Sequence, residues 1–504
     1  MDYLLQFLTH TQSSFLFTSL DFWLFLSVAL AGFSLCYKRP QTRNTFLLAC
    51  SFFFYYKTGG YFIFILLLSI VLNYGIGLQI DAVRPRQKRH WLSIGILANL
   101  LILVIFKYSA FFTQIFNAIF CTSIPAIDYF SASSPTSPAE NGIFLLKNII
   151  PPIGLSFFTF QAISYLVDLK RGTTQVVKNI GDFSFYLCFF PQLVAGPIIR
   201  AGQFMPQLQR HYMLSAKEFS VALFLILGGL IKKIVFADYI SLHLSAPVFA
   251  DPDSFCSLEK WLALYAFSLR IYCDFSGYTD IAIGIAALFG FQLPVNFREP
   301  YKASSLTDFW RRWHISLSTW FRDYLYIPLG GNRHGKARCC LALILTMLAA
   351  GLWHGAGMGF LLWGGVHGLL LCLEKITGWH HQAGKSRPRQ VLGWFLTFNI
   401  VSLAWILFRS PDLHCASSLL SGLFQPMEWS RMPDILQTYR ASLLLMTLAF
   451  VFCILVPEHT KKNIERLFSK SPMMVKFLLA FATAILLFLV QSHTANTPFI
   501  YSNF

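Results

Sequence analysis

Charge is scarce in this sequence. Of its 504 residues only 12% are Asp, Glu, Lys or Arg, about half of the roughly 25% usual in soluble domains, which excludes a chain that keeps most of its surface in water. Acidic residues are the scarcer sign, Asp+Glu 23 against Lys+Arg 40, for a net charge of +17. The surplus does not indicate nucleic acid, because no basic soluble domain or base-reading motif accompanies it. Lys and Arg gather in the cytoplasmic loops of membrane proteins and on anionic leaflets, and part of the surplus suits an anionic substrate. Paired cysteines are missing too. The eleven cysteines are scattered, Cys36, Cys50, Cys188, Cys273, Cys372 and Cys453 inside apolar segments, so neither a disulfide framework nor a zinc site is expected. The adjacent Cys339-Cys340 is a candidate for lipidation, though packing at a helix start suits it better. No His-x-x-x-His or His-Glu pair stands at metal-ligand spacing, so no metal is expected, and no Gly-x-Ser-x-Gly elbow offers a serine nucleophile. Gly355-Ala356-Gly357-Met358-Gly359 lacks the preceding strand that a phosphate loop needs, and close helix packing explains its glycines better. Met1-Asp2-Tyr3 opens without a basic n-region, so the first apolar segment is expected to be retained.

What the sequence has is apolar. Hydrophobic residues make up 55% and aromatics 17%, with a mean hydropathy of +0.55. Apolar runs recur from end to end, which predicts an all-α polytopic membrane protein with one membrane-embedded domain over 1–504. Spans are expected at 14–36, 46–56, 61–80, 91–108, 143–166, 218–236, 261–290, 391–408, 441–456 and 475–491, with a half-crossing at 182–199. The 46–56 arm is short, ~16 Å of helix against a ~30 Å core. Pro151-Pro152 and Gly196-Pro197 break their segments, and broken helices are tolerated only where protein or a water-filled cavity satisfies the backbone. Basic runs after the first span, at 84–89 and at 461–470 place those loops in the cytoplasm and both termini outside. Loop 238–259, acidic and holding a proline, reads as an outer loop.

Residues 296–367 concentrate the chemistry. Arg298, Lys302, Arg311, Arg312 and Arg322 exclude a span, yet Trp310, Trp313, Leu317, Trp320, Phe321 and Tyr324 recur at helical spacing. That pattern predicts an amphipathic interfacial helix over about 303–326. A hairpin follows at 339–373, flanked on both sides by basic residues, with His354 at its far end. Sixteen residues separate Arg338 from His354, ~24 Å of helix, which puts the imidazole inside the bilayer. A histidine of ordinary pKa ~6.5 stays neutral when buried, and a neutral imidazole is a general base. Gly351, Gly355, Gly357 and Gly359 leave room around His354 for a substrate, and Trp353 offers a flat wall. His367, with less space around it, reads first as a packing residue, with a supporting role behind His354 also open. Asp274 and Asp280, in apolar surroundings, are functional suspects. Either they pair with arginines of the basic segment or they orient a catalytic group.

These residues also carry a resemblance. Phe309-Trp310-Arg311-Arg312-Trp313-His314-Ile315-Ser316-Leu317-Ser318 and Trp353-His354-Gly355-Ala356 resemble the membrane-bound O-acyltransferases (MBOAT). The likeness is closest to the bacterial branch of alginate O-acetylases, peptidoglycan O-acetyltransferases and D-alanyl transfer proteins. The segments from Pro152 to Gln161, Phe190 to Pro197, Asp274 to Tyr278 and Phe499 to Tyr501 are similar to that branch in the same order. The resemblance implies a ring of about 10–12 tilted helices, with re-entrant and interfacial helices, around a central funnel whose core is 143–374. It implies His354 as the catalytic base and His314 as the second family histidine; Trp313, Trp353, Asn296, Asp274, Ser318 and Gln161 are further candidates as cavity or orienting residues. It further implies no tightly bound cofactor. The acyl donor, acetyl-CoA or an acyl-carrier thioester, would arrive from the cytoplasm. A periplasmic or membrane-anchored acyl-accepting partner, a polysaccharide acceptor and the bacterial inner membrane complete the expectation. The rival readings are D-alanyl transfer, a transporter or flippase of a lipid-linked glycan, and a scaffold for a partner enzyme.

Overall fold

The computed structural model describes residues 15, 17–124, 153–384 and 386–491. Residues 128–141, rich in Ser and Pro and without Lys or Arg, where the sequence suggests an outer loop, the start of the 143–166 span with Pro151-Pro152, and the tail from Pro498 lie outside the described residues. Among the described residues every regular element is helical. Seven helical runs among these residues are long and apolar enough to cross a membrane, or eight if the bent pair Trp429–Thr438 and Arg440–Leu455 forms one span. The chain is a polytopic membrane protein. It divides into two compact units, Met1–Leu214 with Leu288–Leu293, and Ser215–Ala287 with Pro294–Phe504.

The first unit holds α1 (Leu20–Cys36), α2 (Pro40–Gly59), α3 (Ile63–Ala82), α4 (Pro85–Leu103), α5 (Leu155–Arg171), α6 (Ile180–Cys188) and α7 (Ala201–Leu208). The short arm expected at 46–56 is α2, which has 20 residues, ~30 Å of helix. Pro40 opens its first turn, where a missing N–H costs nothing. The polar residues at which hydropathy stopped turn inward. Arg43 donates from Nη1 and Nη2 to the carbonyls of Arg210 and Leu208 at 3.0 Å each, and from Nε to Asn44 Oδ1 at 3.0 Å. Gly60, at φ +56°, turns the chain toward α3. Asn73 on α3 and Asn99 on α4 exchange side-chain hydrogen bonds of 3.1 and 2.7 Å. Residues 183–199 are all buried although helix stops at Cys188 and resumes only over Phe190–Leu193. Protein groups satisfy that irregular stretch: Phe190 N donates to Ser51 Oγ at 3.2 Å, Gln192 Nε2 to the Tyr186 carbonyl at 2.9 Å, and Tyr186 OH to the Ile199 carbonyl at 3.1 Å. This is the condition under which non-helical backbone persists at membrane depth.

The second unit holds α8 (Ala216–Leu230), α9 (Ser257–Leu288), α10 (Leu306–Arg312), α11 (Ile315–Phe321), α12 (Gly335–His354), α13 (Met358–Thr377), α14 (Arg387–Arg409), α15 (Leu413–Leu423), α16 (Arg440–Phe450), α17 (Glu458–Lys470) and α18 (Met473–Gln491). The helical run begun by α8 continues through π-turns to Ala250, past Asp238, where the sequence suggests an outer loop. Asp238 does not end the helix because Lys233 meets it at 2.8 Å. The same lysine bridges Asp274 on α9 at 2.6 Å, and Lys232 reaches Asp280 at 2.5 Å. The two carboxylates of α9 therefore pair with lysines of the α8 run, not with arginines of the basic segment. Glycines permit the close approach: a Cβ on Gly277 would stand 2.7 Å from the Gly229 carbonyl oxygen, and one on Gly284 2.7 Å from that of Ala222, the small-residue packing typical of membrane helices.

The amphipathic segment 303–326 is not one helix. It breaks at Trp313-His314 into α10 and α11 and ends in a π-turn over Arg322–Tyr326. The hairpin of α12 and α13 forms where expected, with His354 the last residue of its first arm.

Candidate active site

His354 is 1% exposed and closes α12 where the chain turns extended at Gly355. Three rings enclose it: Trp353 with centroids 5.0 Å apart, Trp363 of α13 at 5.2 Å and Phe408 of α14 at 5.2 Å. The neighbouring glycines serve contact more than space. Gly351 lies against the Phe360 carbonyl, Gly355 against the Phe360 ring and Gly359 against the Leu407 carbonyl. They draw α12, α13 and α14 together, and so bring Trp363 and Phe408 onto the imidazole.

His314 stands between α10 and α11 at φ +42°, ψ +56°, the left-handed region that a side chain with Cβ rarely enters. Asn296 holds it there. The Asn296 carbonyl accepts from Ile315 N at 2.9 Å and its Oδ1 from Ser316 N at 3.1 Å, so one residue caps the first turn of α11 with main chain and side chain together. A further bond, Arg298 N to the Arg312 carbonyl at 3.0 Å, fastens the same segment. The imidazole is 0% exposed, and burial pushes its pKa down from 6.5 to about 3, which keeps it neutral at physiological pH. Its ring meets Phe275 of α9 at 4.6 Å and Trp353 at 5.9 Å.

Trp353 thus touches both histidines. An aromatic enclosure holding two imidazoles excludes water and charge, and suits proton transfer to and from a neutral substrate. Among the described residues no three His, Cys, Asp or Glu side chains gather as metal ligands.

Residues 102–410 match the family model of the membrane-bound O-acyltransferases. This chain belongs to the MBOAT family. Among its relatives is the probable alginate O-acetylase AlgI of Pseudomonas syringae pv. tomato, 37% identical over 81% of this chain and 74% of the relative. The peptidoglycan O-acetyltransferase of Helicobacter pylori is 34% identical over 81% of this chain and 79% of its own length. The teichoic acid D-alanyltransferase of Streptococcus thermophilus is 29% identical over 54% of this chain and 70% of its own. The protein is an O-acyltransferase.

In this MBOAT enzyme the other sequence-predicted residues fall in different places. Asn296 and Trp353 are at the histidines. Trp313 forms a wall beside them, stacked on Phe309 at 5.5 Å and meeting Phe297 at 5.1 Å and Trp405 at 5.2 Å. Ser318 donates to the Trp313 carbonyl at 3.0 Å, a local bond within the bend. Asp274 is in the ion pair with Lys233, while its neighbour Phe275 is the residue that reaches His314. Gln161, in the first unit, is buried and lends its carbonyl to Tyr186 OH at 3.3 Å. Sequence reasoning missed Phe275, Trp363, Trp405 and Phe408, which look like any apolar residue at helical spacing. It also missed Glu374, whose carboxylate accepts from Leu306 N at 2.6 Å, Thr307 N at 3.0 Å and Thr307 Oγ1 at 2.9 Å. Glu374 thereby ties the first turn of α10 to α13, and a lone Glu near a helix end carries no signal of it.

Proposed function

We propose that this MBOAT enzyme takes an acetyl group from a cytoplasmic thioester donor, acetyl-CoA or an acyl-carrier thioester. It moves that group across the bacterial inner membrane toward the hydroxyls of an exported cell-envelope polysaccharide, through a periplasmic or membrane-anchored acyl-accepting partner. The observation that carries the reading is the shared contact of His314 and His354 with Trp353. In the transfer, His354 takes the proton of the attacking hydroxyl as its oxygen bonds to the thioester carbon. The carbonyl electrons move to oxygen, and an imidazole N–H of neutral His314 stabilises that charge. Collapse breaks the C–S bond, and the imidazolium of His354 returns the proton to the leaving thiolate. Acetyl is preferred to D-alanyl because acetylating relatives match at 34% and 37% over 81% of the chain, against 29% over 54% for the D-alanyl relative.

The test is acetyl-ester content of the exported polymer in cells carrying His354→Ala or His314→Ala. The expected result is loss of esters in the first and a severe reduction in the second, with the polymer still exported and both variants still in the membrane. Normal esterification with His354→Ala would remove the catalytic assignment. Loss of export itself would favour transport of a glycan.

A further inference from the structure

His367 lies on α13, on the side of Trp363 away from His354. It is 0% exposed, and among the described residues neither ring nitrogen has a hydrogen-bond partner. Its ring meets Trp363 at 4.9 Å and Trp310 at 5.3 Å, and the two indoles meet each other at 5.7 Å. The N–H groups of both indoles are buried, likewise without an acceptor among the described residues. Buried polar groups are almost always bonded, and each exception calls for a partner, a water or a ligand. Here three exceptions touch one another. Phenylalanine at position 367 would pack against the same indoles without leaving a polar atom dry, so apolar packing alone does not account for the histidine.

Chemistry narrows the occupant. An indole only donates, and a neutral imidazole donates once and accepts once. Among the described residues no cation or carboxylate pairs with the three groups, and none of them brings a charge of its own when the imidazole is neutral, so an uncharged complement, rich in acceptors and with one donor, suits them. A secondary amide fits, its carbonyl on the indole N–H groups and its N–H on the imidazole. Trp363 joins this group to the catalytic one, since it also faces His354 at 5.2 Å. The direction runs from His354 toward the basic end of α13 at Lys375. Glu374 fixes α10, which carries Trp310, against that end of the helix.

We propose that Trp310, Trp363 and His367 form an amide clamp for the carrier arm of the acyl donor, which holds the arm while its thioester lies at His354. The clamp rests on the reading above that the donor is a thioester delivered from the basic side.

The test uses the full-length protein in lipid nanodiscs and two small donors, S-acetyl-N-acetylcysteamine, which has a secondary amide two carbons from sulfur, and S-ethyl thioacetate, which has none. Thiol release is followed. The wild type is expected to show a KM about tenfold lower for the amide-bearing donor, the scale of one or two well-placed hydrogen bonds. His367→Phe, which keeps the ring and removes both nitrogens, is expected to raise that KM about tenfold, with kcat changed far less, and to erase the preference. His367→Gln, which keeps a donor and an acceptor, restores part of it, and Trp310→Phe loses part. Equal slowing of both donors in His367→Phe would mean that the group holds water or only packs, and overturns the clamp. Release from both donors without preference in the wild type overturns it as well. Release from neither overturns the thioester reading, and the clamp falls with it.

Discussion

At the scale of single residues the informative one is His314. Its left-handed backbone costs about 1–2 kcal/mol for a residue with Cβ, and such strain persists only where surrounding bonds over-determine it. Asn296 supplies those bonds. The ordinary ranking of Ala over Gly, about 0.5–1 kcal/mol in a helix, should therefore reverse here. His314→Gly and His314→Ala both remove the imidazole and its contacts with Phe275 and Trp353, so both are expected to reduce acyl transfer severely and to the same extent. The glycine variant should nevertheless be the more stable by about 1 kcal/mol, read as a higher midpoint of thermal unfolding in detergent. An alanine variant as stable as the glycine one would mean that position 314 is not left-handed. Both histidines were legible as candidates, because each stands in a tryptophan-rich motif. The conformation of His314 was not, since it depends on a residue far upstream that sequence places in a loop. The glycines around His354 have two readings in sequence, room for a substrate and close helix packing, and the structure supplies the packing at Gly351, Gly355 and Gly359; a small residue signals closeness, and what fills the space is decided by the partner.

At the scale of elements the α8 run and α9 show what apolar patterning hides. Two carboxylates inside an apolar helix had to be neutralised, and that much was readable. Their partners were not, because pairing across helices depends on register, and here it depends on glycines that let α8 and α9 touch. Lys233 serves both Asp274 and Asp238, which makes the cluster unequal. Asp274→Asn leaves the lysine with Asp238 and keeps a polar group in place, a loss of about 1–3 kcal/mol. Lys233→Met removes the cation that both carboxylates share, a loss of about 3–5 kcal/mol. Thermal unfolding of the two purified variants should rank Lys233→Met clearly below Asp274→Asn. The reverse order would place the essential contact of Asp274 elsewhere. The same dependence on partners explains why the span begun at 218 ran on to Ala250 and why the amphipathic helix split. Asp238 is sheltered by a lysine five residues before it, and the bend at His314 is imposed from outside the helix.

At the scale of the whole molecule, the +17 net charge acts through where it lies. Arg333, Lys336 and Arg338 stand at the start of α12, and Lys375, Arg387 and Arg389 beyond the middle of α13 and into α14. Both arms of the hairpin are 20 residues, ~30 Å each, enough to cross a ~30 Å hydrocarbon core. Positive flanks favour open ends in the cytoplasm; on the function proposed above, that orientation sends the tip, and with it His354, toward the outer leaflet, where an exported acceptor would reach it. The two ends of the hairpin can be distinguished by thiol labelling in an otherwise active cysteine-free background. Ala356 at the tip and Ser386 after α13 are both exposed, so cysteines at either position are accessible to reagent. A membrane-impermeant maleimide added to spheroplasts is expected to modify Ala356→Cys directly, and Ser386→Cys only after the membrane is opened. Modification of Ser386→Cys from outside, with Ala356→Cys protected, would invert the hairpin. The catalytic histidine would then face the compartment of the donor, and transfer to an exported polymer would need a different route.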